Sequence, residues 1–165
     1  MKKIILFCLF ILLLVSCGEQ KKEAAVTAEI TKMDFDVKKL PAIGYVNTKA
    51  KESLKDWTAF NDFEASFSTL YKAKNKQDLE VSLDDLIEKQ KLLAKSKYPE
   101  IFNRNHIKSR LKVCKVYILK LKAGLHYGLD TQAIALELTH AHNAFLNQFN
   151  VTVNSIIDDN LFLEE

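Results

Sequence analysis

The chain has two prolines and four glycines in 165 residues. That is little turn material, and it disfavours a turn-rich β fold. No segment alternates apolar and polar residues with period two for long, so strands have no signature either. The three cysteines, Cys8, Cys17 and Cys114, are far apart and make neither a CxxC redox pair nor a zinc knuckle. There is no glycine-rich phosphate loop, no G-x-S-x-G elbow and no H-E-x-x-H. The formal net charge is only +3, which gives no global attraction to nucleic acid. From residue 123 to the C-terminus there is no Lys or Arg at all.

What is present begins at the N-terminus. Lys2 and Lys3 precede an apolar run of about a dozen residues, Ile4 to Val15. A bilayer-spanning helix needs roughly 20 such residues. A charged start, a short apolar stretch and a small residue before a cut site describe a secretory signal. Leu14-Val15-Ser16-Cys17 resembles the lipobox of bacterial lipoproteins. The resemblance implies cleavage before Cys17, a diacylglyceryl thioether on its sulfur and acylation of its amine. More than one acyl chain anchors a protein stably, where a single chain does so marginally. Cys114 would then be the one remaining thiol, with no partner for a disulfide inside the chain. Gly18 follows the cysteine, where by resemblance an Asp favours retention at the inner membrane. The expected location is the cell envelope, at the periplasmic leaflet of the outer membrane.

The organisation read from the sequence is a signal peptide at 1–16, a lipidated cysteine and tether at 17–40, and a helical domain at 41–165. The tether is polar and mixed in charge near Gly18, with scattered apolar residues around Phe35 and Val37. The fold class expected is all-α, an antiparallel up-down-up-down four-helix bundle. In residues 41–73, Ile43, Val46, Ala50, Leu54, Trp57, Phe60, Phe63, Phe67 and Leu70 step by three and four, predicting one helix. Gly44 weakens its first turn. Asn75 caps a second helix with Asp78 at its third position. Leu79, Leu83, Leu86, Gln90 and Leu93 form its seam, with one polar break. Pro99 and Gly128 bracket a third helix, whose seam is Ile107, Leu111, Cys114, Ile118, Leu121 and Leu125. Val113, Val116, Tyr117 and Leu119 lie outside that seam and suggest burial on more than one side. Asp130 caps a fourth helix, expected to end by Asp158 and Asp159 because acids oppose the C-terminal dipole. Residues 161–163 are expected to fold back over the end. The connections are short, which makes consecutive helices antiparallel neighbours. Trp57, Phe63, Leu86, Leu111, Cys114, Ile118, Phe145 and Phe149 should share one core.

Helical bundles host haem and di-iron sites, so those chemistries come first. Glu137 and His140 have Glu-x-x-His spacing, but no second pair exists and both point away from the core stripe. His142 lies in the apolar sector of its helix, beside Leu138 and Phe145. A buried, hydrogen-bonded histidine accounts for it as well as an axial ligand does. His140 and His142, two apart, face different sides. Cys114 sits on a core seam, where cysteine acts as a small hydrophobe. Asp84-Asp85 reads as solvation. No catalytic residue, metal site or cofactor is assigned. A haem, metal or small-ligand bundle is the second reading, and a hydrolase the least supported.

Two surface patterns remain. Residues 101–122 hold seven basic residues and no acid. Arg104, Lys108, Lys112, Lys115 and Lys122 fall within about an 80° sector. The strip is either balanced by neighbouring acids or meets anionic envelope material. The second pattern is an amide row, Asn143, Asn147, Asn150 and Asn154, with Gln132 one end earlier. Asn is a poor residue for a helix interior because it competes for nearby backbone groups. Amides both donate and accept, so the row suits sugar hydroxyls, peptide backbone or a second copy of itself. The function expected is non-enzymatic binding or scaffolding by a lipid-anchored protein of the cell envelope. The partners expected are the membrane, through the anchor, and an envelope protein, a glycan or a second copy, not nucleic acid. The helical pattern also resembles that of small lipoproteins of Gram-negative bacteria, which brings no activity with it.

Overall fold

The computed structural model describes residues 36–161, with side chains to residue 155. The signal, Cys17, Phe35 and the expected fold-back at 161–163 lie wholly or largely outside them. Among the described residues the fold is all-helical and bundle-like, with five α-helices and no strand. They are α1 (Thr48–Leu54), α2 (Thr58–Leu70), α3 (Lys76–Lys95), α4 (Asn105–Tyr127) and α5 (Thr131–Leu161). Short 3-10 turns occupy Val37–Lys39 and Glu100–Phe102. No described helix is long and apolar enough to cross a membrane.

The single helix expected over 41–73 is three separate pieces. Residues 40–47 are non-helical and form a strap. Ile43 and Val46 are β-branched and Gly44 is flexible, all poor helix formers. Asn47 is the true cap: its side chain accepts from the Ala50 amide at 2.8 Å and starts α1. The chain breaks again between α1 and α2, at Trp57, whose φ of −87° and ψ of 81° are not helical. Asn61 Nδ2 donates to the Lys55 carbonyl, which the break leaves without a helical partner (2.8 Å). The break preserves the apolar face, since Leu54, Trp57 and Phe60 are all buried.

The other helix signals hold. Asn75 accepts from the Asp78 amide at 2.8 Å. Asp130 accepts from the Ala133 amide at 3.1 Å. Gly128 closes α4 with a φ of 65°, and Leu129 N donates to the Gly124 carbonyl at 2.9 Å. Two boundaries move. The 3-10 turn at Glu100–Phe102 delays α4 to Asn105. The fourth expected helix passes Asp158 and Asp159 to reach Leu161. A terminal acid costs about 0.3–1 kcal/mol against the dipole, too little to stop a helix that is already propagating.

Packing runs α2 on α3, α3 on α4 and α4 on α5, with α1 against α5. The core contains all eight residues expected to share it, including Leu111, Cys114, Phe145 and Phe149. Gln90 is buried in the α3 seam, as the polar break implied. Aromatic contacts link α2 to α5: Phe60 to Phe149 at 5.2 Å and Phe63 to Phe145 at 6.1 Å. The expectation that the third helix is buried on several sides holds only at Tyr117, which is half-buried against the core. Val113, Val116 and Leu119 are exposed, because α4 packs through its single seam and nothing described covers its back.

Candidate functional site

The amide row of α5 is a clasp for the strap. Asn143 Oδ1 accepts from the Gly44 amide at 2.6 Å, and its Nδ2 donates to the Ala42 carbonyl at 2.9 Å. Two helical turns further, Asn150 does the same: Oδ1 accepts from the Asn47 amide at 2.7 Å and Nδ2 donates to the Tyr45 carbonyl at 3.0 Å. Gln132 Oε1 accepts from the Asp36 amide at 2.7 Å. Tyr71 OH reaches the Pro41 carbonyl at 3.3 Å and the Thr139 hydroxyl at 2.9 Å. The strap therefore runs along α5 in the same direction, its backbone read by side-chain amides. A carboxylate could not donate and an ammonium could not accept, whereas one side-chain amide does both through separate atoms. The row is not one uniform face away from the core, as the sequence suggested. Asn143 and Asn150 are half-buried beneath the strap, while Asn147 and Asn154 are exposed beside it.

Below the strap lies a cavity of about 350 Å3, lined by Gly44, Tyr45, Lys51, Asn61, Glu64 and Leu146. Glu64 also meets His142, with Oε1 and Nε2 2.7 Å apart. A carboxylate only accepts, so Nε2 donates. The imidazole is fully buried and stacks on Phe67, ring centroids 3.6 Å apart at 8°. Its Nδ1 is buried and has no hydrogen-bond partner. A general base needs a nitrogen within reach of a substrate proton. Here one nitrogen is held by Glu64 and the other is closed off in the core, so the pair ties α2 to α5. Cys114 is equally enclosed. Burial pushes its thiol up to about 12, with the Glu64 carboxylate adding to the effect. A reactive cysteine needs the opposite shift.

Glu137 and His140 are exposed, as their spacing implied. Among the described residues no three His, Cys, Asp or Glu side chains converge to hold a metal ion. At the end of the fold where the α1–α2 turn meets the α3–α4 link, an open groove of about 940 Å3 is lined by Asp56, Trp57, Ser96, Tyr98, Glu100 and Lys108, among others. Trp57 Nε1 donates to Ser96 Oγ at 2.9 Å, which fixes the unforeseen helix break in place.

The basic strip of α4 is not uniform. Lys122 pairs with Asp84 of α3, and Lys108 Nζ lies 5.3 Å from the Tyr98 ring centroid. Arg104, Lys112 and Lys115 are exposed, as are Arg110 and Lys120. Sequence reasoning missed Glu64, Gly44 and Tyr71. The signal for Gly44 was its position inside a supposed helix, and the signal for its partner was the amide row itself. The chain matches no known family, no curated protein and no solved structure.

Proposed function

We propose that the protein is a lipid-anchored, non-enzymatic scaffold or binding module of the cell envelope. Cys17 is its acylated N-terminus, at the periplasmic leaflet of the outer membrane. The observation that supports this best is the clasp. The strap lies between the lipobox and α1, and Asn143 and Asn150 hold it along α5, the longest of the described helices. In a domain tethered by its N-terminus, any pull on the tether reaches the strap first. Four backbone hydrogen bonds to two side chains transfer that load to α5. We read α2 to α5 as an antiparallel up-down-up-down bundle. The connections between them are short, and packing follows chain order.

Partners are sought by cross-linking in intact cells from residues placed on α4 and α5, followed by identification of what is trapped. Reproducible capture of an envelope component supports a scaffold or binding role. A Soret band or bound metal in purified protein would favour the cofactor reading instead.

A further inference from the structure

We propose that the outward face of α4 is a docking surface for an anionic phospholipid headgroup layer. Val113, Val116 and Leu119 are 41%, 60% and 43% exposed. Their spacing places them on the side away from the Ile107–Leu125 seam. Arg110, Lys112, Lys115 and Lys120 are exposed around them. No acidic residue occurs between Ile101 and Leu129. Glu80 and Asp84 of α3 share a groove with Leu119, Lys122 and His126 at the C-terminal end of α4. Asp84 engages Lys122, and Lys120 lies over the Tyr117 ring, so among the described residues Arg110, Lys112 and Lys115 carry the basic face without a carboxylate partner.

Single exposed apolar residues are ordinary, as at Val81 and Leu92 of α3, but on α4 Val113, Val116 and Leu119 share one side. A protein-binding face would normally be depleted of lysine. Apolar residues in a lysine frame suit a bilayer surface. The aliphatic residues enter the headgroup zone while lysine stems lie along it and their ammonium groups meet phosphates. The inference rests on the anchored reading only for delivery. The chain from Cys17 to Asp36 can span at most about 65 Å, so an anchored domain stays near the surface and a weak face suffices.

The test uses the mature lipidated protein in vesicles, with Val116→Cys carrying a polarity-sensitive fluorophore. Cys114 is buried and does not compete for label. Val81→Cys on α3, also exposed, is the control position. In vesicles containing phosphatidylglycerol, the probe at position 116 should shift to the blue and be quenched by headgroup-level quenchers. At position 81, and in phosphatidylcholine alone, it should stay water-like. Lys112→Gln and Lys115→Gln should each lower the docked-to-undocked ratio about fivefold. Salt at about 1 M, where screening acts within about 3 Å, should abolish the shift. A water-like probe at position 116 on anionic vesicles, or equal shifts at both positions, overturns the proposal. Failure of the anchor reads out separately, as protein that does not sediment with phosphatidylcholine vesicles.

Discussion

Asn143 grips the backbone on both sides of residue 43, accepting from Gly44 N and donating to Ala42 O. A Cβ on residue 44 would stand 3.1 Å from the Asn143 Oδ1. The glycine and the asparagine therefore belong together. The absent side chain lets the strap come close enough for a 2.6 Å hydrogen bond.

Asn143→Ala and Asn150→Ala should each destabilise the fold by about 1–3 kcal/mol, since each strands part-buried backbone groups. Asn147→Ala and Asn154→Ala should be neutral or stabilising by about 0.5 kcal/mol through helix propensity. Chemical denaturation measures the difference. Hydrogen exchange should show the Gly44 and Asn47 amides losing protection in the first pair of variants only. Equal behaviour of all four would show that the amides do not hold the strap.

Gly128→Ala should cost about 1 kcal/mol, because residue 128 has a φ of 65°. Gly128→Asn should cost less, as Asn tolerates the left-handed region. Thermal or denaturant midpoints of the two variants decide this, and an alanine variant as stable as the parent contradicts the left-handed cap.

These sites mark where the sequence was informative and where it was not. Seams such as Leu79-Leu83-Leu86 and Ile107-Leu111-Cys114 repeat with a helical period, and period reports burial directly. Asn75, Asp130 and Gly128 work through neighbours within five residues, so local reading finds them. The strap does not. Ile43, Val46 and Ala50 keep helical spacing although residues 40–47 are non-helical, because the strap's inward positions also pack on the core. What overrides the pattern is a set of partners about 100 residues away, Asn143 and Asn150. The amide row was visible as a contact face, but its occupant was not. Likewise nothing local to Val113 or Val116 tells a covered helix from an uncovered one.

Cys114 gives a pH dependence with a definite sign. Its folded pKa, about 12, lies above the ordinary 9.0 because the buried thiolate is disfavoured. Its contribution is therefore complete below pH 9 and is lost as pH rises toward 12. The loss has a limiting slope of about 1.4 kcal/mol per pH unit. Tyr71 and Tyr98 are also pushed up by burial and add to the slope at higher pH. Cys114→Ala should flatten the alkaline slope while leaving the tyrosine part. Identical slopes in parent and variant, or rapid thiol labelling of the native protein, contradict the buried assignment.

Glu64→Gln should retain most of the stability, since the amide oxygen still accepts from His142 Nε2. Glu64→Ala should lose about 1–3 kcal/mol by leaving that buried donor unpaired. If both variants unfold at the same denaturant concentration, the Glu64–His142 hydrogen bond does not tie α2 to α5.

The most direct test of the anchored reading is the mass and partition of the protein from its native membranes. If Cys17 is the anchor, the mature N-terminal peptide begins at Cys17 and carries diacylglyceryl and acyl masses. The parent then resists salt and carbonate extraction, and Cys17→Ser appears as soluble or uncleaved protein. An unmodified N-terminal peptide, or a Cys17→Ser variant that is cleaved yet still resists extraction, would contradict it.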